Sequence, residues 1–264
     1  MDLVVDVGNT ETVLGLVPTE ELEVQHDWRV STPVPRTPDE FLLLVRSLLA
    51  SRPGDRLLRR GVVGSVVPTV TQPLVEALEE LVDGPVLVVD ADSPLPIRLS
   101  VEEPRTVGAD RVVNTLAASK LYRRDTIVVD LGTATTYDCI TAEGEFLGGV
   151  IAPGIEAGRE WLAGRTAKLP RVELRPPPQV LGRRTETCLQ SGIFYGAVDA
   201  IDGIVDRLRA EWDRPDALVV ATGGYAPVLA GHSRTISLVE PLLTLLGLKL
   251  AGDHMAKAPG GGVD

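Results

Sequence analysis

Two aspartates, Asp6 and Asp130, each stand at the tip of a β-branched run and are followed by a glycine turn. Leu3 to Thr10 reads LVVDVGNT, and Ile127 to Thr136 reads IVVDLGTATT, the two aspartates lying 124 positions apart (130 minus 6). A buried strand that ends in an acidic residue and a tight glycine turn aims backbone N–H groups and neighbouring hydroxyls at an anion, for which phosphate is the natural guest. The carboxylate itself repels phosphate, so its chemical use there is to hold Mg²⁺, a monovalent cation or water around it. One such turn is commonly no more than a strand-ending Asx or glycine turn. Two copies, each opening what reads as a separate α/β half, favour a ligand site.

A third constellation is Pro104 to Arg111, PRTVGADR, running into VVNTLAASKLY. From Ala109 onward the apolar spacing of Val112, Val113, Leu116, Ala117 and Leu121 is helical, which puts Asp110 and Arg111 in a first turn. A helix N-terminus favours an ionised carboxylate and so keeps Asp110 available as a proton acceptor. Arg111 offers a planar fork for a carboxylate or phosphate. In isolation the plainer reading is an ordinary acidic first turn followed by a surface arginine. Three more segments are open in the same way. GGVIAPG (Gly148 to Gly154) either admits a close backbone approach to a ligand or bends a buried edge, and ATGGY (Ala221 to Tyr225) is either a phosphate or adenosine loop before a helix or an empty turn. Ser65, in GSVVPTV, borders a cleft or is only a strand residue.

The elements that would position these residues follow in order. Leu3–Val7, Thr12–Val17 and Glu21–Val30 read as three meandering strands, and after a proline-rich break Asp39 starts a helix with Phe41, Leu44, Val45 and Leu48 on one side, closing near Pro53 and Gly54. Gly61–Val67 as strand, Thr69–Val82 as helix with Pro73 near its start, and Val86–Val89 as strand then alternate. The second half repeats the meander with Thr126–Val129, Thr136–Thr141 and Glu145–Gly149, followed by a helix over Gly154–Trp161 and a proline-rich connection, Lys168–Pro178. Thr185–Trp212 carries the longest helical pattern. Its Ser191, Gly192, Gly196, Ala197 and Gly203 would admit another helix closely, within the chain or from a second subunit, and Ala217–Val220 is a further strand. The expectation is an α/β chain of two tandem ribonuclease H-like domains, 1–118 and 119–255, with a disordered tail over 256–264.

Composition limits the function classes. At 264 residues and a formal charge of -11 the chain lacks the clustered lysine and arginine of a broad nucleic-acid surface, although a small anion can still be held by a locally positive site. Cys139 and Cys188 belong to no spaced metal or redox motif, and His26, His232 and His254 are scattered without ligand spacing. No apolar run reaches membrane-spanning length and the N-terminus opens on a strand pattern, so a cytoplasmic location is expected.

Taken in order, DVGNT (Asp6–Thr10), GADR (Gly108–Arg111), DLGTATT (Asp130–Thr136), GGVIAPGI (Gly148–Ile155), QSGIFYG (Gln190–Gly196) and ATGG (Ala221–Gly224) resemble the type III pantothenate kinases along almost the whole chain. The resemblance implies the acetate kinase, sugar kinase and actin superfamily, a homodimer, and ATP-dependent phosphorylation of the primary hydroxyl of pantothenate, the first step towards coenzyme A. By matched motif, Asp6, Val7, Gly8, Asn9, Thr10, Glu11, Thr12 and Val13 would line the ATP phosphates, with Asp6 on Mg²⁺, and Thr133 would add a phosphate contact. Gly108, Ala109, Asp110 and Arg111 would hold pantothenate, with Asp110 as the catalytic proton acceptor. Asp130 would bind the family's monovalent cation, K⁺ or NH₄⁺. Thr185, in GRRT where relatives often carry GKNT, would contact pantothenate across the dimer.

Two positions depart from the pattern. Val101, seven places before Gly108, stands where many relatives carry an aromatic residue packed on pantothenate, and Leu242 stands where aspartate is frequent. Two rival readings are a non-enzymatic accessory factor on the same fold, against which Asp6, Asp110 and Asp130 argue, and another small-molecule kinase or phosphohydrolase of the superfamily, which GADR disfavours.

Overall fold

The structure, a computed structural model, describes residues 1–52 and 57–257. The expected closing residues Pro53 and Gly54 of the first helix, and 258–264 of the expected tail 256–264, lie outside the described residues; Ala256 and Lys257 of that tail form a turn whose N–H groups donate to the Gly252 and His254 carbonyls at 3.1 Å each. The backbone divides into two compact units, Met1–Lys120 together with the segment from Leu242 onward, and Leu121–Pro241.

In the first unit, β1 (Asp2–Val7), β2 (Glu11–Val17), β3 (His26–Ser31), β4 (Arg60–Ser65) and β5 (Val86–Val89) form a sheet in the order β3-β2-β1-β4-β5. β1 is central, antiparallel to β2 and parallel to β4. It is paired on both sides and covered on both faces, which explains its unbroken apolar run. β3 starts later than expected: Glu21–Gln25 stays outside the strand, with Glu21 and Glu23 exposed, and the register with β2 begins at His26. Helix α1 (Pro38–Ala50) opens on a capping box, Thr37 with Glu40, and on Pro38 at its first position. β4 ends at Ser65 rather than Val67, because the Ser65 hydroxyl accepts the Val67 N–H at 3.1 Å and the Thr71 hydroxyl at 2.7 Å. Helix α2 (Pro68–Glu79) therefore begins at once, and Ser65 has a structural task. α1 and α2 bury Phe41, Val45, Leu74 and Leu78 against Leu3, Val5, Leu14 and Val63. β6 (Arg98–Leu99), a 3₁₀ turn at Pro104–Thr106 and α3 (Ala109–Tyr122) complete this half.

The second unit repeats the opening. β7 (Thr126–Leu131) has the same inward–outward pattern as β1, and β8 (Ala134–Ile140) and β9 (Glu145–Pro153) follow it antiparallel, β9 running four residues beyond the expected Gly149. Helix α4 (Ile155–Arg165), the long α5 (Thr185–Glu211), β10 (Leu218–Thr222), the short α6 (Ala226–Leu229) and β11 (Leu238–Val239) follow, with strand order β11-β10-β7-β8-β9. α5 lays Phe194, Val198, Ile201 and Val205 on Ile127, Val129, Tyr137 and Val219. Its Asp202 is 8% exposed and ties down the segment before β11. The carboxylate accepts the Ser233 hydroxyl (2.6 Å), the Thr235 hydroxyl (2.7 Å) and the Arg234 and Thr235 N–H groups (3.1 Å each). Burial alone would push its pKa up; these hydrogen bonds outweigh burial and hold it below the ordinary value. A depressed carboxyl stabilises the fold above its unfolded pKa and loses that contribution as pH falls through the folded one. Asp202→Asn should therefore cost about 2–3 kcal/mol near neutrality. The gap from the parent in thermal unfolding should stay level down to about pH 5 and narrow below about pH 4.

The last helix was not anticipated. α7 (Leu243–Met255) packs on β1, β2 and β4 of the first unit, although the expected division counted residues to 255 with the second half. Leu245 and Leu248 fill the space over Gly15 and Gly64, on the sheet face opposite α1 and α2. A buried charge cluster fastens the helix. Lys249 Nζ donates to the Thr19 carbonyl (2.9 Å) and to both Asp253 oxygens (2.6 and 2.7 Å), and lies 3.4 Å from Asp2 Oδ2. Arg60 bonds Asp2, Asp253 and the Gly252 carbonyl.

Candidate active site

The carboxyl ends of parallel strands are where open α/β sheets place ligands, and the first unit gathers its chemistry there. Asp6 sits half-buried near the end of β1, opposite Val13 of β2 and Gly64 of β4. The Gly8 N–H donates to the Glu11 carbonyl at 3.0 Å, closing the turn and leaving Asn9, Thr10 and Glu11 exposed at its rim. Thr12 is buried and its hydroxyl is paired with that of Thr32 at 2.9 Å, so its side chain holds the turn in place. The Glu11 carboxylate forms a surface pair with Arg29 at 3.3 Å, of little weight for stability.

α3 starts beside this turn. Val66, directly after β4, donates its N–H to the Val7 carbonyl at 3.1 Å, and its Cγ1 would lie 3.2 Å from a Cβ placed on Gly108. That same Cβ would fall on Asp110 Oδ1, so the carboxylate occupies the space that the absent Gly108 side chain leaves. Asp110 Oδ1 also accepts the Arg111 N–H at 2.9 Å, and the first helical bond runs from the Val112 N–H to the Gly108 carbonyl at 3.1 Å. Asp110 is thus held half-buried at a helix N-terminus. GADR and the Asp6 turn, about a hundred residues apart in the chain, are brought together through Val66. Ala109 is buried and Arg111 half-buried; Val101 is half-buried in the bend before the 3₁₀ turn.

In the second unit Asp130 lies opposite Thr136 of β8 and Thr222 of β10. Gly223, with φ of +86°, packs so tightly that a Cβ there would stand 2.5 Å from Asp130 Oδ1 and 2.8 Å from Leu131 backbone atoms. Only glycine tolerates both the backbone angle and the approach. From the other side a Cβ on Gly154 would meet the Gly132 carbonyl at 2.6 Å and fall on the Thr133 carbonyl. GGVIAPG and ATGG therefore both serve a close backbone approach to the Asp130 turn. The Asp130 carboxylate is a hard oxygen donor, of the kind that suits a cation with little preference for nitrogen or sulfur. Among the described residues no group of three or more His, Cys, Asp and Glu side chains has metal-binding geometry. Thr185 is exposed at the first position of α5, on the rim of a groove of about 540 Å³ between α4 and α5, lined by Gly158, Leu162, Cys188, Gly192, Ile193 and Ala200. Cys139 is buried, and burial first, then Asp138 and Glu211, push its thiol up to about 12, which removes it from chemistry near neutrality. The hydrogen bond between Tyr225 and Glu156, residues 69 positions apart, carried no sequence signal.

Two successive halves with a strand meander and an acidic glycine turn at the tip of the central strand have the α/β architecture of the acetate kinase, sugar kinase and actin class. Solved structures share the fold: a conserved Baf family protein from Campylobacter jejuni (TM-score 0.61, 18% identity, covering 97% of this chain and 100% of that one), and a ROK family glucokinase from Streptomyces griseus in complex with glucose and AMPPNP (TM-score 0.54, 14% identity, 97% and 100%). The type III pantothenate kinase profile matches residues 2–207. The type III pantothenate kinase of Moorella thermoacetica is 44% identical over 251 residues, 95% of this chain and 98% of the relative, and that of Streptomyces coelicolor is 43% identical over 259 residues, 95% and 97%. The chain belongs to the type III pantothenate kinase family.

Proposed function

We propose that this kinase transfers the γ-phosphoryl group of ATP to the primary hydroxyl of pantothenate, giving 4′-phosphopantothenate and ADP at the entry to coenzyme A synthesis. The observation that carries the reading is the Asp110 carboxylate, seated over Gly108 at the start of α3 beside the Asp6 turn, in a chain of this family. The hydroxyl oxygen forms a bond to the γ-phosphorus as the bond from that phosphorus to the β–γ bridging oxygen breaks, and Asp110 collects the hydroxyl proton late. Asp6 to Val13 line the phosphates through the exposed turn and its backbone donors, Thr133 adds a hydroxyl, and Gly108 to Arg111 with Val101 hold pantothenate. Mg²⁺, with Asp6 among its holders, supplies charge neutralisation when bound. Asp130 would hold K⁺ or NH₄⁺, for which a hard oxygen donor is suited. The chain's own contribution is positioning and fixed donors, which a loose transition state rewards most.

We also propose a homodimer closed over the α4–α5 groove. Its small residues permit close approach, and Trp161 on α4 is 62% exposed. Thr185 would then serve the partner's pantothenate site. A strictly monomeric yet fully active protein would contradict this part. No helix among the described residues is long and apolar enough to cross a membrane.

The deciding experiment is ADP release by the purified protein with Mg²⁺ and ATP, with and without pantothenate, in K⁺ or NH₄⁺ against Na⁺. Release should require pantothenate and be stimulated by K⁺ or NH₄⁺. Release without any acceptor would point to a hydrolase, and none under any salt to a non-enzymatic protein or to a kinase of a different substrate.

A further inference from the structure

We infer that Tyr225 and Glu156 form a positioning pair that fixes the Asp130–Thr133 turn from both sides. Tyr225 closes the ATGGY segment and Glu156 lies just beyond GGVIAPGI, but no motif joins the two, and the pair's role rests on the proposed contacts of that turn with the phosphate and the monovalent cation.

Two loops of the second unit converge on this turn. On one flank Gly223 packs on Asp130 and Leu131, and two residues on the Tyr225 N–H donates to the Leu131 carbonyl at 3.1 Å. On the other flank Gly154 is seated against the Gly132 and Thr133 carbonyls, and two residues on Glu156 opens the first turn of α4. The Tyr225 hydroxyl donates to Glu156 Oε1 at 2.6 Å, which closes a ring of contacts around the turn. The far side of Glu156 is anchored as well: Arg159 Nε donates to Oε2 at 2.8 Å, and Arg159 Nη1 donates to the Val172 carbonyl at 3.1 Å. With side chains only 24% and 17% exposed, Glu156 and Arg159 are held well enough for a charge-assisted hydrogen bond to keep its strength. Packing alone does not immobilise the turn, because a cavity of about 60 Å³ adjoins it, lined by Leu131, Gly132, Thr135, Ile155 and Tyr225 among others. The phenol–carboxylate bond supplies the restraint that packing leaves out.

Phosphoryl transfer depends on donors held in place, so loosening the turn should weaken the grip on ATP and on the cation more than it slows the committed step. Tyr225→Phe removes the hydroxyl and keeps the ring. In the full-length protein it should raise the KM for ATP and the half-saturating K⁺ concentration by about five- to tenfold. The fall in kcat should be smaller than that rise, and the melting temperature should hold. Glu156→Gln, which keeps an acceptor for the phenol, should do less harm than Glu156→Ala. The double variant Tyr225→Phe with Glu156→Ala should be no worse than Glu156→Ala alone, as two halves of one interaction require. Unchanged ATP and K⁺ constants in Tyr225→Phe, or additive effects in the double variant, would overturn the pair's role. Asp130→Asn separates the levels: if it alters K⁺ dependence while Tyr225→Phe does not, the pair fails and the cation reading stands. If Asp130→Asn leaves K⁺ dependence untouched, both fall.

Discussion

Asp110→Asn should lower kcat by about a hundredfold or more, the scale of a lost general base, while ATP binding stays close to that of the parent. The substitution is nearly isosteric. The Asp110 oxygen that accepts the Arg111 N–H at 2.9 Å can be replaced by the carboxamide oxygen, so the first turn of α3 keeps its bond and the fold its stability. What is lost is the capacity to take a proton. Single-turnover phosphoryl transfer, nucleotide titration and thermal unfolding on one preparation separate these quantities. Turnover within a few-fold of the parent would remove Asp110 from the role of base. Gly108→Ala is the companion test. Its methyl group would fall on Asp110 Oδ1 and crowd Val66 Cγ1 at 3.2 Å. The first of these is the end of a movable side chain, so turnover should drop well before the melting temperature does.

Lys249→Met should destabilise the protein by about 3–5 kcal/mol, the cost of leaving a buried charge uncompensated. Arg60, Lys249, Asp2 and Asp253 form a neutral set of two cations and two carboxylates, with Asp2 0% and Lys249 1% exposed. Methionine matches the length of the lysine stem but abandons the Thr19 carbonyl and both oxygens of Asp253. Burial alone would lower the Arg60 pKa; hydrogen bonds to Asp253 and Asp2 raise it above the ordinary value, so Arg60 stays charged and the variant is left with one cation facing two carboxylates. Adding Asp253→Asn restores neutrality, and the double variant should regain part of the loss in chemical denaturation. A Lys249→Met protein as stable as the parent would mean that the cluster contributes nothing net.

The central strands were legible because β1 and β7 are covered on both faces and so write unbroken apolar runs, each stopping at its aspartate. α3 and α5 were legible because their apolar spacing holds over many turns. α7 was not. Its sequence, LTLLGLKLAGDHM, is apolar nearly all round and contains a lysine that reads as surface, although it is buried. No periodicity marks such a helix, and no local signal ties Lys249 to Asp2. The same holds within the site. Asp6, Asp110 and Asp130 are marked by their turns, but Val66 joins the first two only through its strand-end position, and Tyr225 meets Glu156 only because two loops converge on a third. Glycines told more than polar residues did: Gly108, Gly154 and Gly223 each mark a place where a neighbouring group takes up the volume of a side chain.

The return of the chain to its first unit has a consequence for how the protein is made. A ribosome delivers Met1–Lys120 first, yet the face of β1 and β4 that α7 covers stays bare until residues beyond Leu242 have been synthesised. The continuous stretch Leu121–Pro241 meets no such wait. The nascent chain therefore reverses the usual N-terminal-first order: its later half can mature first, and the arrival of α7 is the event that seals the earlier one. A premature stop near residue 241 would leave an apolar sheet face and two buried charges without their cover, a product for quality control rather than for catalysis.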